Sequence, residues 1–227
     1  MPTMPVSIII PTLNESAVLA ATIEGLRQLR PHEIIVADGG SGDATRKAAG
    51  SADLFLQAQR GRASQMNAGA ARASGDVLLF LHADCSLEEG ALDMAKNCLR
   101  RPRVAAGCFT MDVQGANVFY RWMERVANAR VRLAGLIYGD QGMFLNRTLF
   151  EKVGGFPGLR FMEDVALSRR LRRLGRMVVA PARIHVSPRR WQHAGILRQT
   201  VSNWTMLALA AVGVHPDRLA EHYPKVR

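Results

Sequence analysis

A mostly parallel β-sheet flanked by helices, the α/β class, is what three observations in this 227-residue sequence predict. Short β-branched runs alternate with segments of helical apolar spacing through roughly the first 80 residues, the pattern of repeated strand and helix units. The runs are apolar at consecutive positions rather than at every second one, as in strands covered on both faces. Three of them end in polar residues, and a parallel sheet binds its ligands at the carboxyl ends of its strands.

The first run, 6–10, is Val-Ser-Ile-Ile-Ile closed by Pro11 and reads as a buried strand. Residues 15–29 place Val18, Leu19, Ile23, Leu26 and Leu29 at helical spacing, with Asn14 in position to cap the first turn. The unit repeats, with strands over 33–37, 53–56 and 77–81 and helices over 43–49 and 61–73. Beyond it the spacing predicts a helix over 87–99, a strand over 104–113, a long basic helix over 117–133 and a strand over 141–146. A helix over 163–174, a strand over 177–180 and a last helix after His193 follow. No linker, repeat or low-complexity stretch interrupts the chain, so the reading is one domain over 1–227.

Composition excludes several classes. With 48% hydrophobic and 22% charged residues, the chain is neither disordered nor collagen-like, and its length buries a core that needs no disulfide or metal staple. Cys85, Cys98 and Cys108 are odd in number and lack CxxC spacing, which points to buried free thiols in a reducing compartment. No basic segment precedes the short apolar run at 6–10. The longest apolar stretch, 204–214, is 11 residues, against roughly 20 for a bilayer span. The sequence therefore reads as a cytoplasmic chain that crosses no membrane.

Thirty basic and 19 acidic side chains leave a net charge of +11. The excess is unevenly placed: residues 1–115 carry 11 basic and 12 acidic side chains, residues 116–227 carry 19 and 7. Twenty-six of the basic residues are Arg, suited to bidentate phosphate or carboxylate contacts; the codon bias of a GC-rich genome explains them equally well. The charge by itself fits a nucleic-acid binder, yet the split says that the field acts on whatever the second half meets.

The polar residues at the strand ends carry the chemistry. After residue 10 come Pro11, Thr12, Leu13, Asn14 and Glu15; after 37, Asp38, Gly39, Gly40, Ser41, Gly42 and Asp43; after 81, His82, Ala83 and Asp84. Each has a plain structural reading, Asp43 above all, since an Asp after a strand often caps the next helix. Side by side in a parallel sheet, however, these loops bring Glu15, Asp38, His82 and Asp84 to one crevice, where several carboxylates need a cation or hydrogen-bond donors. Glu163 and Asp164 open a helix whose apolar stripe is Leu167, Leu171 and Leu174, at the favourable end of its dipole, as either a capping pair or a functional one. Tyr138-Gly-Asp-Gln-Gly142 precedes a predicted strand and is a candidate ligand loop, in which Asp140 and Gln141 would bind hydroxyls; the other reading is that its glycines only make a turn. His185 and His193 read as structural.

Four runs then occur in order: VSIIIPTLNE at 6–15, IIVADGGSGDAT at 34–45, GRASQMNAGAARASGDVLLFLHAD at 61–84 and MEDVALSRRL at 162–171. Together they resemble the signatures of family 2 glycosyltransferases, inverting enzymes of the GT-A fold, over residues 4–191. The resemblance implies transfer of a sugar from a nucleoside-diphosphate sugar to an acceptor hydroxyl, with 1–115 as the donor half and 116–227 as the acceptor half. It implies that Pro11, Thr12, Asn14 and Glu15 line the nucleotide pocket and that Asp38 accepts a hydrogen bond from the base. Gly39 and Gly40 would let the backbone approach the ligand. Gly61, Arg62 and Asn67 lead into the fourth predicted strand, with Arg62 placed to meet the diphosphate; where the family has Ala-Arg before the Asn, this chain has Gln65-Met66.

His82-Ala83-Asp84 aligns with the family's Asp-x-Asp motif. The resemblance thus makes Asp84 a ligand of the Mg²⁺ or Mn²⁺ that bridges the two phosphates. His82, standing where the family has an Asp, would shift preference toward Mn²⁺ as a metal ligand, or simply end its strand. Asp164 is implied as general base, with Glu163 its partner in the motif. Ser187-Pro-Arg-Arg-Trp191 loosely resembles the family's Arg-Trp element, with Arg190 on the leaving diphosphate and Trp191 stacked on the acceptor; a basic surface turn with a half-buried Trp is the other reading.

Competing functions are weaker. A sugar-phosphate nucleotidyltransferase needs a glycine-rich loop with Arg and Lys near the N-terminus, and a dehydrogenase needs G-x-G-x-x-G after the first strand; neither motif is present. An inactive GT-A-like scaffold that binds nucleic acid or a membrane surface rests on charge alone. The joint presence of Asp38, Asp84 and Asp164 argues for activity, so no nucleic-acid partner is expected. Two features suggest a lipid-linked or otherwise apolar acceptor met at the cytoplasmic membrane face. One is the helix over 117–133, which mixes Arg121, Arg125, Arg130 and Arg132 with Phe119, Trp122, Met123, Val126 and Leu133; the other is the apolar stretch 204–214. Packing of an amphipathic helix on a sheet also accounts for both.

Overall fold

A single eight-stranded sheet organises the chain in the computed structural model, which describes residues 4–115 and 117–187 together with Thr205, Met206, Leu209, Arg218 and Leu219. In chain order the elements are β1 (Val6–Thr12), α1 (Leu19–Gln28), β2 (Glu33–Asp38), α2 (Thr45–Ala48), β3 (Leu54–Gln57), α3 (Arg62–Arg72), β4 (Val77–Phe80) and β5 (Cys85–Leu87). They continue with α4 (Ala91–Leu99), β6 (Val104–Val113), α5 (Val118–Ala134), β7 (Met143–Asn146), α6 (Arg147–Lys152), α7 (Glu163–Arg172) and β8 (Arg176–Val186). The strand order is β3-β2-β1-β4-β7-β6-β8-β5. β7 and β5 run against the other six, so the sheet is mostly parallel, as the sequence predicts.

The strands are apolar throughout because both faces are covered. Ile8, Ile10, Ile34, Val36 and Leu79 face one core, closed by Leu19, Ile23 and Leu26 of α1 and by Leu92 and Ala95 of α4. Ile9, Ile35, Leu78 and Phe80 alternate with them toward a second core, closed by Ala63, Met66 and Ala70 of α3 and by Leu167 and Leu171 of α7. The period of two along each strand splits one apolar run between two layers. All three cysteines are buried and free.

Several boundaries differ from expectation. β1 passes through Pro11 to Thr12, paired with β2 as Pro11↔Ala37, whereas its pairing with β4 ends at Ile9↔Phe80. Ile9 directs its carbonyl to β4, so the nitrogen of Pro11, two residues on, faces the same side beyond the last paired residues, where a missing donor breaks no ladder. β8 likewise continues through Pro181, where the register with β6 shifts between Phe109↔Ala180 and Thr110↔Arg183; a bulge takes up the proline. The helix expected from residue 87 begins at Ala91, since Gly90 is left-handed at φ 77° and the preceding residues pair with β8 as β5. Asn14 does not cap α1, which starts at Leu19 with no side-chain cap. The long basic helix is capped as its sequence directs: the Asn117 side chain accepts the Phe119 N–H, and Gly135 ends the helix at φ 64°.

Candidate active site

The sheet order places the ends of β2, β1 and β4 next to each other, and the loops that follow are cross-linked. Asn14, held at φ 56°, donates its N–H to the Ser41 hydroxyl at 2.8 Å and accepts the Gly42 N–H at 2.9 Å. Glu15 donates its N–H to the Thr45 hydroxyl, and Ser16 donates to the Asp43 carboxylate, which also receives the Thr45 N–H at the start of α2. The two loops thus form one wall. Asp38, 2% exposed, sits at its base. Its oxygens receive the Thr12 and Ser41 hydroxyls and the Gly40 and Ser41 N–H groups, which fills a carboxylate's ordinary acceptor capacity.

Gln65 is the residue of this wall that sequence reasoning missed. Buried on α3, it donates its amide to the Thr12 carbonyl at 2.6 Å and to the Ala37 carbonyl at 2.9 Å, and it accepts the Gly61 N–H at 3.3 Å. It therefore ties the ends of β1 and β2 to the start of α3. Gly39 lies under it: a Cβ there would stand 3.0 Å from the Gln65 side chain. The departure from the family's Ala-Arg at 65–66 was the available signal. Asn67 is turned elsewhere, exchanging hydrogen bonds with both the carbonyl and the N–H of Phe156, at 2.8 and 2.9 Å.

Across the crevice, α7 presents the second half of the site. Arg62 meets the Glu163 carboxylate at 2.7 Å. Glu163 is 2% exposed, and its Oε2 atom has no hydrogen-bond partner. Burial pushes its pKa up and the Asp164 charge adds to this, against the pull of Arg62. Asp164 accepts the Gly139 N–H on Oδ2 and the Val165 N–H on Oδ1, both at 2.7 Å. Ser168, one turn on, exchanges hydrogen bonds with the N–H and carbonyl of Ile137. Asp164 and Ser168 together hang the loop over 136–142 from α7.

In that loop Gln141 is fully buried, accepting from Arg130 at 2.6 Å and donating to Asn128 of α5. Arg130 also lies 3.3 Å above the Tyr138 ring centroid, and burial first of all lifts the Tyr138 pKa to about 12. Asp140 is half-buried beside them. His185, on the far part of the sheet, pairs with Asp112 at 2.7 Å.

His82, Gly139, Glu163 and Asp164 form the polar wall of a cavity whose apolar wall is Met66, Phe80, Met143 and Phe156. The cavity is narrow, about 10 Å³, the room of one water. A Cβ on Gly139 would stand 2.8 Å from His82 Nε2 and 3.5 Å from Asp164 Oδ2, which shows how closely the three residues meet. A larger cavity of about 380 Å³ lies at the opposite end of the sheet, beside Val6, Arg30 and Lys96. Of the ionisable motif residues, His82, Glu163 and Asp164 line the small one while Glu15, Asp38, Arg62 and Asp84 do not, and chemistry rather than volume assigns the site there.

Asp84 is half-buried on the turn between β4 and β5, next to Ala83, with the Cys85 thiol 3.8 Å from its Oδ1 atom. Among the described residues no group of three or more His, Cys, Asp or Glu gathers for a metal. Asp84 is the one hard oxygen donor of this turn and His82 a borderline nitrogen. A cation that takes one or two carboxylates and fills its shell from phosphates and water is the ordinary Mg²⁺ mode, so Asp84 fits a metal that arrives with a diphosphate. Arg190, Trp191, His193 and the helix expected after it lie outside the described residues, as does most of 204–214.

Comparison with known proteins bears on this arrangement. The chain is 25% identical over 198 residues to the probable glycosyltransferase YdaM of Bacillus subtilis, covering 75% of this chain and 47% of that protein; it spans about half the length of the curated relative it matches. It is similar in fold to GalNAc-T7 solved with UDP, GalNAc and Mn²⁺, at TM-score 0.64 and 17% identity over 81% of this chain and 44% of the other. It is similarly close to S. aureus TarS residues 1–349 in complex with UDP-GlcNAc, at TM-score 0.63 and 16% identity over 81% and 58%. Glucosyl-3-phosphoglycerate synthase from Mycobacterium tuberculosis, solved with Mn²⁺, UDP and glucosyl-3-phosphoglycerate, aligns at TM-score 0.54 and 20% identity over 78% and 70%. The fold is the GT-A arrangement. The model of the family described as glycosyl transferase family 2 matches residues 7–165, from the start of β1 to the first turn of α7; the chain belongs to that family.

Proposed function

We propose that this protein transfers a sugar, with inversion, from a nucleoside-diphosphate sugar to an acceptor hydroxyl. The observation that carries the reading is the convergence of His82, Gly139, Glu163 and Asp164 on one cavity at the carboxyl ends of the parallel strands. The bound UDP, UDP-GlcNAc and Mn²⁺ of the structurally similar proteins support a UDP-sugar donor and a divalent metal.

Residues 1–115 form the donor half. Pro11, Thr12, Asn14, Glu15, Asp38 and Gly39 wall the base and ribose, and Ala83 floors the approach to the phosphates. Because the chain's own donors already occupy Asp38, a base that binds it exchanges with one of them; the Ser41 hydroxyl, on a half-buried residue, can rotate away, whereas Thr12 is buried. Arg62 stands at the start of α3 where the diphosphate comes in, oriented by Glu163. Asp84 and His82 would hold the divalent cation, which neutralises charge on the departing diphosphate.

Residues 116–227 form the acceptor half. Each oxygen of Asp164 takes one N–H and keeps a lone pair for the acceptor proton. The acceptor oxygen attacks the anomeric carbon from the face opposite the diphosphate. The bond to the diphosphate breaks as the new bond forms, and the proton passes to Asp164. Asp140 meets the acceptor hydroxyls, while Gln141 fixes the loop through Arg130. Arg190 and Trp191 keep the roles that the resemblance implies.

The test is a screen of UDP-sugars and acceptors with Mn²⁺ or Mg²⁺ present and then chelated, with the anomeric configuration of the product read by NMR. Transfer with inverted configuration that chelation abolishes is expected. Retained configuration overturns the single displacement, and turnover indifferent to chelation overturns the metal.

A further inference from the structure

The outer face of α5 is apolar and basic at once. Tyr120, Glu124, Ala127 and Val131 turn inward, while the opposite face exposes Val118 (82%), Trp122 (46%) and Leu133 (88%). Arg125 and Arg132 are exposed on that same stripe, as spacings of three and four residues require. The stripe runs about 22 Å along the helix. At its C-terminal end it joins a second surface. Arg172 of α7 donates to the Ala134 carbonyl at 2.6 Å and lies against Gly135. This sets the C-terminal end of α7, with exposed Arg169, Arg173 and Leu174 (52%), next to that of α5, while Arg170 reaches the Val153 carbonyl instead.

The charge there is unopposed in sequence. No acidic residue occurs between Glu124 and Asp140, or from Val165 to Pro216. We propose that the adjoining C-terminal ends of α5 and α7 dock on a bilayer bearing anionic headgroups. Arginines at headgroup level with leucines and a tryptophan beneath them are the composition of an interfacial surface. Nucleic acid satisfies the arginines and leaves Leu133, Leu174 and Trp122 in water. A second copy of this chain would set the same positive patch against itself. Five residues separate Leu133 from Gly139, the partner of Asp164, so docking puts the acceptor side of the crevice at the headgroups. That consequence rests on the proposed function; the docking itself does not.

The full chain is sedimented with phosphatidylcholine vesicles and with vesicles containing phosphatidylglycerol, at low and raised salt, and UDP binding is measured separately by calorimetry. Binding to the anionic vesicles is expected, at least about tenfold weaker without phosphatidylglycerol and weakened by salt. Leu133→Gln with Leu174→Gln is expected to weaken it at least about tenfold, and Arg132→Gln with Arg173→Gln about thirtyfold. Both double variants keep the wild-type UDP affinity, which shows that they are folded. No sedimentation with anionic vesicles overturns the proposal, as does wild-type binding by the leucine variant. Salt-sensitive binding of duplex DNA that the leucine variant retains, without vesicle binding, assigns the patch to nucleic acid instead. A chain that binds vesicles but no UDP removes the proposed function and leaves the docking standing.

Discussion

The Asp164 carboxylate accepts the Gly139 N–H across 2.7 Å, so the residue proposed as general base also anchors the loop over 136–142 beside the cavity. Asparagine can keep that bond through its side-chain carbonyl but takes up no proton. Asp164→Asn is therefore expected to lower kcat by about 10²–10⁴-fold while UDP affinity stays within about twofold. Steady-state kinetics beside calorimetry checks this, and near-wild-type transfer would remove Asp164 from the base's role.

Gly139 itself is fixed by its neighbours. A Cβ there meets His82 Nε2 at 2.8 Å, closer than real contacts allow. Gly139→Ala is expected to displace His82 or the loop and to cost about a hundredfold in kcat, with little change in melting temperature. A fall in both to the same degree would mean that the substitution unfolds the loop rather than misplacing the site.

Gln65→Ala leaves the Thr12 and Ala37 carbonyls without their buried donor. A loss of about 2–3 kcal/mol in stability is expected by urea unfolding. Because the lost bonds hold the wall of the proposed nucleotide pocket, KM for the donor is expected to rise more than kcat falls. Gln65→Glu, which offers these carbonyls no donor when ionised, is expected to behave like the alanine variant.

Arg62 is the charge that compensates Glu163. Burial holds the Glu163 pKa above its unfolded value, so folding disfavours its ionised form. That penalty is absent below the unfolded carboxylate range and complete above the folded-state value. Arg62→Ala removes the compensation, and the expected loss of about 3 kcal/mol at pH 8 shrinks as the pH is lowered to 5. Equal losses at the two pH values would assign the contact to packing instead of charge.

Metal preference should follow His82. If it ligates, His82→Asp is expected to raise Mg²⁺-supported turnover relative to Mn²⁺, since a carboxylate is the harder ligand. Asp84→Asn should weaken both. An unchanged Mg²⁺ to Mn²⁺ ratio in the His82 variant would leave that residue as a strand end only.

The alternation of elements was legible because parallel strands buried on both faces leave consecutive apolar residues, as in 6–10 and 77–80. Pro11 misled because a proline ends a strand only where its missing N–H is needed. In β1 the nitrogen points past the paired part of β4, and in β8 a bulge takes up the proline. The cross-linking of the loops after β1 and β2 followed from topology and was readable from the strand ends, whereas of Glu15, Asp38, His82 and Asp84 only His82 lines the cavity. What the sequence did not reveal was which polar groups would be taken up by other parts of the chain. Asp38 is filled by its own loop, Asn67 by Phe156 and Gln141 by Arg130. The Gln141 and Asn67 pairings span 11 and 89 residues and no local spacing encodes them, whereas three of the four donors on Asp38 come from within three residues of it.

The position of β7 carries a consequence for synthesis. β4 finds its second neighbour only in Met143–Asn146, a strand from the other half of the chain inserted between β4 and β6. As the chain leaves the ribosome, β1 to β4 can assemble, but the outer edge of β4 stays bare for several seconds at ordinary elongation rates. An apolar edge strand of this kind is a template for wrong pairing. A nascent chain stalled before residue 143 is expected to be held by chaperones and cut by protease within β4, and one stalled after residue 175 to resist both.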